Sequence, residues 1–252
     1  REGMRTHYEG TELSMTNDPG AGAYKVPYRW RPMTFKSEGR EYFNERAIAT
    51  QQTGFVLIGQ MRSWLPDAVG GILWFGVDDA NTAVLTPMYT SITEIPECYR
   101  RGNGSMTEFS WTSAFWIHNW VANMAYNRYE PMIHDIRPVQ KELEDSYVDL
   151  VKNTDAKALE LLKSSPAQAT AYLTEVCGKV ANEATARWKK LGEYLLVKYM
   201  DGNVKKEKDG KFEENGYGQI VSPNFPGYSQ EYYDQVAKSE EAKHLEVPKK
   251  DK

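Results

Sequence analysis

Cysteine is nearly absent from this 252-residue chain, which holds only Cys98 and Cys177. Two such residues build no disulfide framework, and neither belongs to a Cys-x-x-Cys unit of the kind that binds zinc or cycles redox state. Composition therefore leaves the redox compartment unassigned. A basic excess is lacking as well: 31 Lys and Arg against 35 Asp and Glu give a net charge of −4, so nucleic acid, which is held by neutralising phosphates, is not an expected partner. The longest apolar runs, Phe55–Ile58 and Ile72–Phe75, fall far short of the roughly 18 residues a membrane helix needs. No membrane span is expected.

Catalytic and cofactor motifs are missing in the same way. The histidines His7, His118, His134 and His244 form no HExxH or HxH unit, so no metal is expected. Gly102-Asn103-Gly104-Ser105 lacks both the Lys-Ser/Thr of a P-loop and the third glycine of a dinucleotide fingerprint, and no GxSxG elbow occurs. No cofactor is expected. The chain starts at Arg1 with no charged segment leading into an apolar one, so the start reads as neither a translation start nor a signal peptide. A fragment or processed product is expected.

What is present is a globular composition, 40% hydrophobic and 12% aromatic, enough to fill a core. Residues 1 to about 50 carry the turn cluster Asn17–Gly22, and Pro27 and Pro32 lie among Tyr24, Tyr28 and Trp30. They read as irregular chain wrapped on a core built elsewhere. Between Thr53 and Arg62 the run Phe55–Met61 has no helical period and predicts a strand apolar on both faces, hence covered above and below. Ser63–Asp67 interrupts it. Gly71–Val77 and Thr82–Tyr89 then complete a three-stranded antiparallel meander around the turn Asp78–Asn81.

After the loop Arg101–Gly104 the apolar period lengthens to about 3.6. A helix is predicted from near Ser113, with Phe115, Asn119, Ala122 and Tyr126 on one face. Pro131 and Pro138 are expected to limit it. A second helix ends near Lys152, and a short one covers Asp155–Lys163. The clearest helix opens at Ser165-Pro166-Ala167-Gln168, where serine caps, proline suits the first helical position and Gln168 closes a capping box. Its stripe runs Tyr172, Val176, Val180, Ala184, Trp188, Leu191, Leu195, Tyr199, and Gly202 ends it. Beyond Asn203, the charged stretch and the Lys243–Lys252 end read as solvated hairpin or tail. The organisation is α+β: a loop-rich and antiparallel β part over 1–110, a helical layer over 111–202 and a polar extension over 203–252.

Arg100 and Arg101 next to Cys98 would favour a thiolate, with His118 as its base. The commoner role of such a cysteine is a small buried side chain. Cys177 falls on the last helix's stripe and is expected in the core. Asp78-Asp79 offers carboxylates at a strand end, although Asp-Asp-Ala-Asn is also plain turn chemistry. Trp64, Trp74, Trp111, Trp116 and Trp120 are expected in the core. The residues alone give an α+β protein with no self-contained catalytic constellation.

Four stretches together resemble one family. They are Tyr28-Arg29-Trp30-Arg31-Pro32, then Asn44 to Gly54 (NERAIATQQTG), Gly71 to Ala80 (GILWFGVDDA) and Phe109 to Trp116 (FSWTSAFW). They look like the cysteine dipeptidases of the dipeptidase A type, distant relatives of the secernins, closely over about Arg1 to Asp149 and more loosely beyond. The resemblance implies part of an αββα N-terminal-nucleophile hydrolase sandwich, antiparallel strands followed by a helical C-terminal half. It implies a thiol peptidase that hydrolyses dipeptides without metal or cofactor. Its nucleophilic cysteine would be exposed by processing, with that residue's own α-amine, pKa about 7.7–8.0, as base.

In this reading no catalytic residue lies in the chain, and the nucleophile is expected upstream of Arg1. The partners are the dipeptide and the N-terminal portion of the same protein, in a bacterial cytoplasm or periplasm. The substrate-binding candidates are Asn44, Arg46, Gln51, Gln52, Thr53, Arg62 and Asp78. Arg46 or Arg62 is expected to fork onto the substrate carboxylate, and Asp78 to hold the ammonium. Half a sandwich leaves an apolar face bare, which favours a homo-oligomer. The alternative is a non-catalytic binding or scaffolding domain of secernin-like type.

Overall fold

The computed structural model describes residues 1–221 and 223–247. Its centre is an antiparallel meander of β3 (Phe55–Met61), β4 (Gly71–Val77) and β5 (Thr86–Tyr89), paired in chain order. The β3–β4 register runs from Phe55↔Val77 to Met61↔Gly71, and β4–β5 from Ile72↔Tyr89 to Phe75↔Thr86. Because side chains alternate along a strand, Val56, Ile58, Ile72, Trp74 and Tyr89 share one face. Phe55, Leu57, Met61, Leu73, Phe75 and Met88 share the other. A short helix α2 (Asp67–Gly70) fills the link between β3 and β4.

Three helices pack against this sheet: α3 (Ala114–Asn127), α4 (Tyr129–Leu162) and α5 (Pro166–Lys198). Strand β5 is buried along its whole length. On α4, Asp155 accepts a hydrogen bond from Tyr89 Oη at 2.6 Å. On α5, Cys177 closes the outer edge of β5, its Sγ 3.3 Å from the Tyr89 N–H and 3.5 Å from Pro87 O. The cysteine thus saturates ladder groups that no strand reaches. The main core gathers Ile117, Val121, Ile136, Trp188, Leu191 and Leu195 from the three helices.

Strand β3 departs from expectation. Val56 is buried and Ile58 half-buried, but Phe55, Leu57 and Met61 are 62%, 47% and 68% exposed. The apolar sequence is right for a two-sided strand. Among the described residues, however, the helices cover β4 and β5, and this strand is left at the edge with one face bare. The tryptophans follow suit: Trp64 and Trp111 are exposed, Trp74, Trp116 and Trp120 half-buried, and the fully buried indole is Trp188.

The prolines also behave differently. Pro131 falls in the first turn of α4, where a missing N–H costs nothing, and Pro138 sits inside the same helix, which runs unbroken to Leu162. An interior proline costs about 3 kcal/mol. Met132, Ile136, Gln140, Glu144, Tyr147, Val151, Thr154 and Ala158 offset it by forming a continuous buried stripe on both sides of it. The same stripe fuses the predicted short helix at Asp155–Lys163 into α4.

Local cap signals give the other helix starts: Ser113 is the N-cap of α3, and the Ser165 Oγ accepts the Gln168 N–H at 3.4 Å. The helix α5 ends at Lys198, before a turn over Met200–Gly202.

The first fifty residues hold a short helix α1 (Glu2–Arg5) and an exposed hairpin of β1 (Thr34–Ser37) and β2 (Arg40–Phe43), and are otherwise irregular or 3-10 turns. Arg5, His7, Met15, Ala21 and Tyr28 tie this segment into the core. After Asn203 come a hairpin of β6 (Glu207–Lys208) and β7 (Lys211–Phe212) and the helix α6 (Gln230–Lys238). Sequence patterning had not singled out that last helix. Of the Lys-rich end, residues 248–252 lie outside the described residues.

Candidate active site at the Asp78 end of the sheet

Where β4 ends, the chain folds back over its own sheet. Gly76 permits this, since a Cβ there would lie 3.0 Å from Val84 O and 3.2 Å from the Ala83 Cβ. The next residue, Asp78, takes the left-handed conformation at φ +67°, which Asp tolerates better than most residues. Its N–H donates to Gly54 O at 2.9 Å. Its Oδ1 accepts the Asn119 Nδ2–H at 2.9 Å. Oδ2 has no partner among the described residues, although Asp78 is only 1% exposed. Burial outweighs the hydrogen bonds from the Asp79 backbone and Asn119 and raises this carboxyl to about 7.

Asp79 does the turn's own work. Its Oδ2 accepts the Thr82 N–H at 3.0 Å and the Thr82 hydroxyl at 2.8 Å. Its other oxygen accepts from Tyr126 Oη, 3.1 Å away. The tyrosine hydroxyl also lies 3.0 Å from His7 Nε2, and Tyr129 Oη lies 3.3 Å from His7 Nδ1 while donating to Asn81 Oδ1. His7 is wholly buried, with Glu9 Oε1 at 3.4 Å from Nδ1. Burial alone would raise Glu9, but hydrogen bonds with His7 prevail and hold it at about 2.

On the other side of the turn, Glu144 accepts the Leu85 N–H at 2.9 Å and pairs with Arg5, which also donates to Ala83 O. The turn is therefore a buried polar hub, held by the N-terminal segment, α3 and α4 at once.

Of the residues singled out from sequence, Asn44, Arg46, Gln51, Gln52 and Thr53 lie on the segment that leads to Gly54, whose carbonyl accepts the Asp78 N–H. Asn44 donates to Trp30 O and Pro32 O at 2.6 and 2.8 Å. Arg46 is hydrogen-bonded to Gln52 and lies over the Tyr28 ring, 5.8 Å from its centroid. Gln51 is buried, and neither of its amide atoms has a partner among the described residues. Thr53 Oγ1 donates to Thr50 O at 2.8 Å.

Arg62 stands apart, beyond the Met61↔Gly71 pair at the far end of β3, roughly 20 Å of strand away from Asp78. It is buried, ion-paired with Asp155 and donating to Val69 O and Gly70 O. The Arg62 guanidinium is thus engaged inside the chain, whereas the half-buried Arg46 makes one side-chain hydrogen bond, to the neutral amide of Gln52.

Neither thiol is poised to attack. Burial pushes Cys98 up, and it pushes Cys177 up to about 11, so both stay protonated at neutral pH. The exposed Arg100 pairs with Glu97, and burial outweighs whatever field it exerts on Cys98. His118 is stacked on Trp188 at 5.0 Å and lowered to about 3 by burial. Among the described residues no cysteine is hydrogen-bonded to an imidazole. No group of three or more His, Cys, Asp or Glu there could hold a metal ion, and no helix is long and apolar enough to cross a membrane.

Sequence reading missed His7, Asn81, Tyr126, Tyr129, Arg5 and Glu144 as a network. One signal was available: Asn119 is a polar residue on an otherwise apolar helical stripe.

Residues 1–142 match the family described as Peptidase family C69. Over 185 residues the chain is 31% identical to "Probable dipeptidase" of Latilactobacillus sakei, covering 72% of this chain and 34% of that protein. Over 167 residues it is 28% identical to "Probable dipeptidase B" of Lactococcus lactis subsp. lactis (strain IL1403), covering 65% and 33% respectively. The chain spans about a third of the length of the curated relatives it matches.

Proposed function

Because the chain belongs to peptidase family C69, we propose that it is the C-terminal portion of a cysteine-type dipeptidase, with the nucleophile on a preceding portion of the same protein. The match over residues 1–142 carries this reading. Two further observations support it: the relatives are about twice as long as this chain, and both thiols of this chain are buried and protonated.

In the proposed reaction a cysteine sulfur adds to the dipeptide carbonyl while its own α-amine takes the thiol proton, then returns it to the leaving amine. Water afterwards cleaves the thioester. Metal plays no part. The two sheets of an αββα sandwich would meet across the bare Phe55–Leu57–Met61 face of β3, whose exposure on this chain suits such a layer.

The hub around Asp78 then has a positioning role. A carboxyl near 7 with one oxygen unpartnered exchanges a proton at working pH or takes up an ammonium, and Asn119 and the left-handed turn fix its direction. Asn44, Arg46, Gln51, Gln52 and Thr53, on the segment leading into β3, are the further substrate-binding candidates of this reading. Arg62 is assigned to the fold.

The test is dipeptide hydrolysis by the full-length parent protein. Turnover is expected to persist with chelator and vanish on alkylation of the N-terminal cysteine, and the 252-residue chain alone should be inactive. Chelator-sensitive turnover overturns the mechanism, and turnover by the isolated chain overturns the division of labour. A parent that binds peptides without cleaving them supports the scaffolding reading instead.

A further inference from the structure

Arg62 is ion-paired within the fold and Arg46 is hydrogen-bonded to Gln52, and the structure offers a further guanidinium for the dipeptide's carboxylate outside the hub. Next to the end of β4, on the face of the sheet that carries Phe75 and Val77, is a groove of about 320 Å³. Its floor is apolar, made by Phe75 and Val77 of the sheet with Phe115 and Trp116 of α3, and Cys98 lies at its base. Its rim carries Arg101. Val77 immediately precedes Asp78, so groove and hub share one end of the sheet. Phe75 also packs 6.1 Å from the exposed Phe55, which makes the groove continuous with the bare face.

Arg100 is held by Glu97 at 3.2 Å and by Ile95 O. Arg101 is exposed and has no hydrogen bond or ion pair among the described residues. The loop that presents it is nevertheless rigidly built. Gly102 and Gly104 have φ of +91° and +81°, and a Cβ on Gly104 would fall 2.9 Å from Trp116 Cδ1 and 3.0 Å from Glu108 O. Asn103 donates to Glu97 O and accepts from Ser110 and Thr112, while the Trp116 indole donates to Ser105 O at 3.1 Å. So much fixed hydrogen bonding around a surface loop pre-pays the ordering cost of a binding site.

We propose that this groove binds the C-terminal residue of a short peptide, with its free carboxylate on the Arg101 guanidinium and an apolar or aromatic side chain on Phe75, Val77, Phe115 and Trp116. The inference rests on the dipeptidase reading for the identity of the ligand. A fork of guanidinium donors matches a carboxylate, and the four apolar floor residues select a side chain without charge. The volume lies at the lower end of small-molecule sites, about 300–1,000 Å³, which suits one residue. Arg101 is thus a specificity residue at the groove.

The test uses the 252-residue chain and needs no turnover. N-acetyl-L-phenylalanine and its C-terminal amide are titrated while the Trp116 indole N–H resonance is followed by NMR. The carboxylate is expected to bind about tenfold more tightly than the amide. Arg101→Gln should abolish that preference, Arg101→Lys should retain part of it, and Gly104→Ala should weaken both ligands.

Equal affinity for acid and amide, or an unchanged preference in Arg101→Gln with native circular dichroism, overturns the proposal. Failure of the two readings is distinguishable. A parent protein without hydrolysis whose chain still prefers the acid refutes the dipeptidase reading alone. A hydrolysing parent in which Arg101→Gln leaves KM for phenylalanine-ended dipeptides unchanged refutes the groove alone.

Discussion

The two outer strands of the meander live in opposite surroundings. Strand β5 is buried along its length, its edge closed by Cys177 and its end tied through Tyr89 to Asp155. Strand β3, with the more apolar sequence, exposes Phe55, Leu57 and Met61. The difference teaches that burial is divided unevenly across one sheet: the helices direct their contacts to β5, while one face of β3 stays exposed. Substitutions on the two sides should therefore differ in size and kind.

The largest expected effect is at the helical core behind β5. Trp188→Ala, at a fully buried indole, should lower stability by about 3–5 kcal/mol, measured by urea unfolding; a loss below about 1 kcal/mol would show that the helices do not carry the fold.

The hub comes next. An unfolded aspartate ionises near 3.9, whereas folded Asp78 keeps its proton to about 7. The folded state thus binds more protons in that window, and stability falls as pH rises from about 4 to 7. Asp78→Asn should remove this slope, with a relative gain on the order of 4 kcal/mol at pH 8. Parallel stability curves for the two proteins from pH 4.5 to 8 would contradict the assignment.

Smaller again is the contrast between arginines. Arg62→Ala leaves Asp155 uncompensated beside a buried strand end and should cost about 3 kcal/mol. Arg46→Ala, at a partly solvated pair, should cost under about 1 kcal/mol. Similar losses at both, measured by thermal or urea unfolding, would erase the distinction between a guanidinium that builds the fold and one on the segment leading into β3.

The smallest expected effect is on the bare face itself. Phe55→Ser with Leu57→Ser should shift the unfolding free energy by less than about 0.5 kcal/mol while reducing any self-association seen by sedimentation. A large destabilisation would mean that this face is part of the chain's own core.

Much of the fold was legible because its signals are local. Strand β4 is found at Gly71–Val77 as read, and Ser165 marks the start of α5 because a capping side chain acts within a turn of its own position, while Ser113 holds the N-cap position of α3 without a side-chain cap hydrogen bond. Pro138 misled for the converse reason: its cost is local, but the packing of Ile136, Gln140 and Glu144 that offsets it is not. The hub was out of reach in a similar way, since Tyr126 and His7 meet across 119 residues of sequence. Asp78-Asp79 read equally well as turn and as site. The structure uses Asp79 for the turn and leaves an oxygen of Asp78 unpartnered.

By itself the sequence determined the α+β class, the meander, the caps of two long helices and the resemblance that leads to peptidase family C69, since each rests on spacing and side-chain chemistry within short windows. Only the tertiary structure decided which strand is covered, which arginine is spent on the fold and which remains open at a groove. Those outcomes depend on which distant surfaces compete for the same side chains.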